Sequence, residues 1–153
     1  MSLNRSCPLC LPTTSTPLWQ DDFCRVVLLN DTDYPAYCRV ELLAHIKEMS
    51  DLPPHERARM MKTVFAVEVA LREIFNPDKI NLASLGNNTP HLHWHLIPRY
   101  ENDKHFPNPH WGEAMRYGKA TPLDVNTIKI LSQRISAHVE CALNAAQIKE
   151  HIK

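Results

Sequence analysis

The stretch Gly86-Asn87-Asn88-Thr89-Pro90-His91-Leu92-His93-Trp94-His95-Leu96-Ile97-Pro98 decides the fold of this chain of 153 residues. Its centre alternates histidines with apolar residues, and side chains alternate between the two faces of a β-strand. We therefore predict a strand over residues 91–98 that presents His91, His93 and His95 on one face and buries its apolar face. On an α-helix successive residues turn by about 100°, so the three histidines would diverge.

The elements before this strand predict an α+β fold. Residues 19–29 are typical of a hairpin that turns at Asp21-Asp22, and residues 39–43 of a third strand. Residues 79–85 form a further strand, which Gly86-Asn87-Asn88 connects to the histidine strand. Between them a helix begins at Pro53-Pro54 and stops at Asn76-Pro77. Its apolar stripe has helical spacing and comprises Met60, Val64, Val67, Leu71 and Ile74.

The part of the chain after the histidine strand predicts a long loop and a second helix. Residues 100–120 are rich in proline and aromatic residues, as is typical of a loop. Thr121-Pro122-Leu123-Asp124 resembles a capping box, which predicts a C-terminal helix over residues 121–150. The buried stripe of that helix comprises Ile128, Leu131, Ile135, Val139 and Ala142. We expect one domain over residues 1–153, with a core of about residues 7–100. It would contain a five-stranded, mostly antiparallel sheet with two main helices.

Composition excludes several classes of function. Lys and Arg number 17, as do Asp and Glu, so formal neutrality indicates no nucleic-acid partner and no membrane surface. No apolar run approaches about 18 residues, so we expect no transmembrane span. The 5 cysteines show no spacing typical of secreted proteins, which favours the reducing cytoplasm.

The chemistry of the three histidines allows two interpretations. The strand rise places His91 and His95 roughly 13 Å apart, so one metal with bonds of about 2.1 Å cannot bind all three. A neighbouring pair, His91 and His93, can share a metal, as in a metallohydrolase. Alternatively, a neutral imidazole is a nucleophile near pH 7, and its neighbours can donate protons to a phosphate or leaving group.

Residues 86–99 closely resemble the signature of the histidine triad superfamily of nucleotide hydrolases and transferases. The resemblance implies that His93 attacks the α-phosphorus and forms a covalent nucleotidyl-histidine, while His95 assists the leaving group. It implies a nucleotide substrate with a purine base, such as a dinucleoside polyphosphate or nucleoside phosphoramidate. It also implies a homodimer and no cofactor in the chemistry. A non-catalytic nucleotide-binding protein stays open as an alternative.

The resemblance extends beyond the triad, over about residues 7–100. Residues 25–31 resemble the family's early strand, which implies that Asn30 contacts the ribose. Asn87 lies where many members carry a polar residue near the phosphate, and Arg99 is a further candidate phosphate contact. Many members carry a fourth, supporting histidine early in the chain, but the equivalent stretch here is Pro35-Ala36-Tyr37-Cys38. The proton relay behind His93 is therefore expected to differ.

A second candidate site lies near the N-terminus. Cys7-Pro8-Leu9-Cys10 is typical of either a zinc knuckle or a redox pair, and no βαβ pattern surrounds it. A structural zinc requires four ligands. In some histidine triad proteins and in galactose-phosphate uridylyltransferases, a similar motif binds zinc together with two histidines. That resemblance implies a structural zinc held by Cys7, Cys10, His45 and His91.

Overall fold

The computed structural model describes residues 4–150 and the side chains of residues 4–144. In chain order the elements are β1 (Thr16–Gln20), β2 (Cys24–Leu28), β3 (Cys38–Leu42), α1 (Pro54–Phe75), β4 (Lys79–Ala83), β5 (His93–Arg99) and α2 (Val125–Glu150). Single 3-10 turns lie at Pro8–Cys10 and Met49–Asp51. This α+β architecture confirms the expected five strands and two main helices.

The five strands form one sheet in the order β1-β2-β3-β5-β4, and every neighbouring pair is antiparallel. The register places Val40 of β3 between Val26 and Trp94, on one face. The next residue, Glu41, lies between Arg25 and His93 on the opposite face. We call these the back and the front of the sheet. The back is apolar, whereas the front carries charged and imidazole side chains.

The two helices pack on the back of the sheet and enclose the main core. Helix α1 begins after Pro53, where proline is tolerated because the first N–H groups have no intrahelical partner. It ends where Asn76 adopts the left-handed conformation and donates its backbone N–H to the Arg72 carbonyl. Four of the five predicted stripe residues of α1 are fully buried, and Ile74 packs against the core from a partly buried position.

Helix α2 begins four residues later than predicted. Asp124 caps it, since its carboxylate accepts a 3.0 Å hydrogen bond from the Thr127 backbone N–H. Thr121 instead donates its backbone N–H to the Thr32 carbonyl at 3.1 Å, and this contact holds the preceding segment outside the helix. The cap is therefore Asp124, the last residue of the predicted box and not the first.

The histidine strand also begins later than predicted, at His93 rather than His91. Leu92 donates its backbone N–H to Ile46, which lies beyond the end of β3, and His91 donates to Thr89 within a turn. The preceding strand ends at Ala83 and not at residue 85. His91 is consequently outside the row that His93 and His95 form, although it directly precedes β5.

The two edges of the sheet differ. Edge strand β1 contains Pro17 and a register shift between Pro17 and Trp19, whereas edge strand β4 pairs regularly with β5 over its whole length. Among the described residues, no helix combines the length and apolarity that crossing a membrane requires.

Candidate functional site

The candidate active site lies on the front of the sheet, where β3 and β5 are neighbours. Side chains two residues apart on β5 share this face, so His93 and His95 lie side by side. The register places Glu41 of β3 opposite His93 and Arg39 opposite His95. All four side chains are thus presented together by two antiparallel strands.

Hydrogen bonds fix the orientation of the His93 ring. Its Nδ1 lies 2.6 Å from the carbonyl oxygen of His91, and its Nε2 lies 3.1 Å from Nε2 of His95. A carbonyl oxygen only accepts, so Nδ1 of His93 carries the proton and donates. The Nε2 atom of a neutral His93 therefore carries a lone pair, as a nucleophile requires, and directs it to the side of His95.

Both imidazoles are neutral at physiological pH. Burial lowers the pKa of His93, and it lowers that of His95 to about 3, with the neighbouring His93 and Arg39 acting in the same direction. Only 5% of His93 and 8% of His95 is exposed, so water does little to stabilise a charged ring. Neutrality preserves the nucleophilic lone pair.

A buried ion cluster lies beside the histidines. The Glu41 carboxylate is fully buried and accepts hydrogen bonds from Nε of Arg25 and Nε of Arg39, each of 2.6 Å. Arg25 also donates to the Leu9 and Leu11 carbonyls and thereby ties the N-terminal segment to the sheet. Two arginines and one glutamate leave a net positive charge on this face.

The 100–120 loop covers part of the site. Trp111 approaches His95 edge-on with ring centroids 5.1 Å apart, and His110 packs against Tyr37 at 5.0 Å. Nε2 of His110 also lies 3.2 Å from Oδ2 of Asp31. This contact connects the loop to the segment between β2 and β3.

The loop is anchored by Asp103. Its carboxylate accepts hydrogen bonds from Arg99, from Tyr34 and from three backbone N–H groups of the loop. Although burial raises the pKa of Asp103, the bonds from Arg99 and the backbone lower it to about 2. Asp103 is therefore ionised at neutral pH and holds the loop in one conformation.

A cavity of about 590 Å³ lies on the β4 side of the sheet; its lining contains no triad histidine, but it contains Trp111, which contacts His95. Its walls include Ala83, which pairs with His95, together with Lys79, Arg99, His110 and Trp111. This volume suits a small organic ligand. The exposed indole of Trp111 offers such a ligand an aromatic surface beside the triad.

The second candidate site is confirmed as a cluster. One ligand atom from each of Cys7, Cys10, His45 and His91 lies within 4.8 Å of every other. The Sγ atom of Cys10 is 3.3 Å from Nδ1 of His45 and 3.5 Å from Nδ1 of His91, and the two Nδ1 atoms are 3.3 Å apart. Tetrahedral zinc with ordinary bond lengths requires sulfur–nitrogen separations of about 3.5 Å and nitrogen–nitrogen separations of about 3.4 Å. The measured separations agree with these values, so the donor set fits zinc.

His91 belongs to both sites. Its Nε2 lies 2.7 Å from the Leu42 carbonyl, so this nitrogen carries the proton and Nδ1 presents its lone pair to the cluster. Its backbone carbonyl accepts the bond that orients His93. With both ring nitrogens of His91 engaged, the geometry gives no support to a metal shared between His91 and His93.

The structure does not place Asn30, Asn87 and Arg99 beside the His93–His95 pair. Asn30 and Asn87 are exposed and line two other cavities, neither of which is lined by a triad histidine. Arg99 is 2% exposed and its guanidinium donates to Asp103, to Asn81 and to the Asn108 carbonyl. Nucleotide contacts by these three residues stay predictions.

Several residues of the site were not identified from the sequence. They are Tyr37, Arg39, Glu41, His110 and Trp111. The alternation of β3 signals that Arg39 and Glu41 share a face, but only the register with β5 brings them to the histidines. His110 and Trp111 lie in a loop without periodicity. The loop directly follows the histidine strand, so the sequence allowed it either to cover the active site or to be an ordinary surface loop, without indicating which of its residues contact the triad.

The sequence and the fold were compared with those of known proteins. The sequence profile of the HIT domain matches residues 13–102. Similar solved structures include a histidine triad protein from Bradyrhizobium japonicum, with 26% sequence identity and a TM-score of 0.67. Another is a histidine triad protein from Sinorhizobium meliloti, with 30% sequence identity and a TM-score of 0.66. The first alignment covers 82% of this chain and 90% of that one, and the second covers 81% and 89%. A Zn-bound histidine triad family protein from Mycobacterium smegmatis is similar in fold, at 20% identity and a TM-score of 0.61, with 92% and 97% covered. No curated protein sequence matches the chain.

Proposed function

The chain belongs to the histidine triad (HIT) family, and from this premise we propose that it is a nucleotide hydrolase or nucleotidyl transferase. Its substrate would be a purine dinucleoside polyphosphate or a nucleoside phosphoramidate. The observation that carries the proposal is the orientation of His93, whose Nδ1 is bonded to the His91 carbonyl while Nε2 faces His95.

In the proposed first step, Nε2 of His93 attacks the α-phosphorus and forms a nitrogen–phosphorus bond. The bond from phosphorus to the leaving group breaks, and the leaving group takes the proton from Nε2 of His95. His95 is then an imidazolate, whose charge the guanidinium of Arg39 on the neighbouring strand stabilises until the second step. In the second step a water molecule attacks the same phosphorus and returns a proton to His95. The nitrogen–phosphorus bond then breaks, its electron pair returns to His93, and the nucleoside monophosphate departs. An acceptor other than water would make the reaction a transfer.

We propose Arg39 as the phosphate contact of this site. Its guanidinium is held by Glu41 through Nε and Nη2, which leaves Nη1 without a partner among the described residues. The side chain is 20% exposed and lies opposite His95 on the front of the sheet. A cation in this position stabilises the negative charge that develops on the phosphoryl oxygens.

We assign the cluster of Cys7, Cys10, His45 and His91 to a structural zinc. All four ligands come from the protein, as is typical of structural sites. Bound zinc would add folding free energy and tie the N-terminal segment to the residue that precedes β5. The side chains that carry out the chemistry, His93 and His95, are not among the ligands.

The proposal is tested by intact-protein mass spectrometry after rapid mixing with adenosine 5′-phosphoramidate or a diadenosine polyphosphate. We expect an added adenosine monophosphate mass on the wild type and none on His93→Ala, which should still fold. Free product without an adduct in any quench, with activity lost to chelators and restored by metal, would favour a metallohydrolase. Nucleotide binding without adduct or product would indicate a non-catalytic binding protein.

We also propose that the protein is a cytoplasmic homodimer. Phe65 and Val69 lie one helical turn apart on α1 and are 51% and 39% exposed, and Leu85 beyond β4 is 48% exposed. These apolar side chains suit contact with a second copy. The 5 free cysteines suit a reducing compartment. Light scattering on the wild type and on Phe65→Glu would test the dimer.

A further inference from the structure

A tyrosine contacts the triad from the side opposite the nucleophile. Tyr37 lies just before β3 and is 4% exposed, and its hydroxyl oxygen is 2.7 Å from Nδ1 of His95. The two rings are tilted, with centroids 5.6 Å apart. Among the described residues this is the hydroxyl's single hydrogen bond. Tyr37 occupies the stretch in which the sequence showed no supporting histidine.

The polarity of the hydrogen-bond chain determines where each proton lies. The His91 carbonyl can only accept, so Nδ1 of His93 donates and its Nε2 accepts. The 3.1 Å contact between the two Nε2 atoms then requires that His95 donates from Nε2. A neutral imidazole carries one proton, so Nδ1 of His95 accepts, and the Tyr37 hydroxyl must be its donor.

We propose that Tyr37 is a positioning residue that holds His95 in the tautomer protonated at Nε2, and so keeps a proton ready for the leaving group. The inference rests on the proposed function, in which His95 supplies that proton. Without the hydroxyl, Nδ1 of His95 would have no donor, and the tautomer protonated at Nδ1 would become populated. That tautomer presents a lone pair to the leaving group and cannot protonate it.

The surroundings of Tyr37 suit this role. Burial raises the pKa of its hydroxyl, so the group stays protonated and remains a donor. The ring packs with Tyr34 and Ile97 in a small cluster on the front of the sheet, and His110 contacts it edge-on. These contacts restrict the ring, which directs the hydroxyl at one atom of His95.

The test compares Tyr37→Phe with Tyr34→Phe as a matched control. Tyr34 is buried to a similar degree, and its hydroxyl also lies 2.7 Å from a histidine nitrogen, but that nitrogen belongs to His105 and not to the triad. Both variants lose one buried hydroxyl, and Tyr34→Phe also loses the hydrogen bond to Asp103. A general loss of packing or stability would therefore affect the control at least as strongly as Tyr37→Phe. Thermal unfolding of both proteins checks this.

Two substrates separate a tautomer effect from a structural one. An adenosine phosphoramidate of a basic amine needs a proton on its leaving group, whereas adenosine 5′-(4-nitrophenyl) phosphate does not. We compare kcat/KM, which reports formation of the adduct and not its later hydrolysis. We expect Tyr37→Phe to lower kcat/KM by about 10- to 100-fold on the amidate, a fraction of what general acid catalysis contributes. The same variant should lose less than about threefold on the nitrophenyl ester. Equal losses on both substrates, or the same losses in Tyr34→Phe, would overturn the proposal.

Nitrogen NMR of histidine-labelled protein provides a readout that does not depend on activity. In the wild type we expect His95 to be protonated at Nε2 and not at Nδ1, and in Tyr37→Phe we expect a mixture of both tautomers. A wild-type His95 protonated at Nδ1 would refute the role of Tyr37. If neither substrate reacts, the proposed function fails while the NMR result still decides the tautomer.

Discussion

Replacing Glu41 by glutamine tests the buried ion cluster beneath the candidate active site. Glu41→Gln preserves the shape of the side chain but removes the charge that Arg25 and Arg39 share. Glu41 is fully buried, and the side chain of Arg25 is 10% exposed. The two guanidinium groups would then face each other across a neutral amide with little access to water.

The magnitude follows from the contacts. Glu41 accepts two charge-assisted hydrogen bonds of 2.6 Å, each of which contributes about 1.5–3 kcal/mol. Glutamine retains one acceptor oxygen, so one of these bonds survives in weakened form, and the unpaired guanidinium adds a desolvation cost. Removing one partner of a buried ion pair typically costs about 3–5 kcal/mol. We expect a loss near 3 kcal/mol in the free energy of unfolding, from a total of about 5–15 kcal/mol.

Urea unfolding followed by tryptophan fluorescence measures this loss. Asp22→Asn is the matched control, since Asp22 also pairs with an arginine, Arg59, but its side chain is 82% exposed. We expect the control to leave the midpoint of unfolding unchanged. A loss below about 1 kcal/mol for Glu41→Gln would show that water or rearranged partners satisfy the arginines, and the reasoning from burial would be refuted.

Three further predictions concern the metal cluster, the triad and the loop. Cys7→Ser should lower both the zinc content and the thermal stability of freshly purified protein. The control Cys141→Ser, which replaces an exposed thiol, should change neither. Metal analysis that finds no zinc in the wild type would contradict the site. For His95, the unfolded pKa is 6.5 and the folded pKa is about 3, so the unfolded state binds more protons between these values. The free energy of unfolding should therefore fall as pH drops below about 6.5, by at most about 1.4 kcal/mol per pH unit. Urea titrations at pH 6.5 and 5 measure this fall, and the free energy of unfolding of His95→Gln should decrease less between the two pH values. Asp103→Asn should release the loop from Arg99 and accelerate amide hydrogen exchange across residues 100–120; unchanged protection would show that other contacts hold the loop.

The sequence predicted the features that depend on local periodicity. The alternation around His93 and His95 determines which face they occupy, because a strand reverses its side chains at every residue. The apolar stripe of α1 likewise identified its buried side. The Cys-x-x-Cys motif, together with the resemblance to zinc-binding relatives, predicted the cluster of Cys7, Cys10, His45 and His91 that the structure contains.

The remaining features depend on contacts between distant segments. Arg39 reaches His95 only through the pairing of β3 with β5, which are more than fifty residues apart in sequence. The contact of Tyr37 with His95 and the approach of Trp111 depend on how two connections cross the front of the sheet. The alternation predicts His91 in the histidine row, but β5 begins only at His93, and the turn before it directs the ring of His91 to the metal cluster, as the resemblance implied.

The unequal edges of the sheet limit how copies of this protein can associate. Pro17 cannot donate a ladder hydrogen bond, and the irregular register beside it twists β1, so strand addition at that edge is disfavoured. The regular edge at β4 has no such protection. If two copies pair through β4, both outer edges of the joined sheet are β1 edges, and growth stops at two. The fold thereby permits a closed assembly while it resists open-ended fibres.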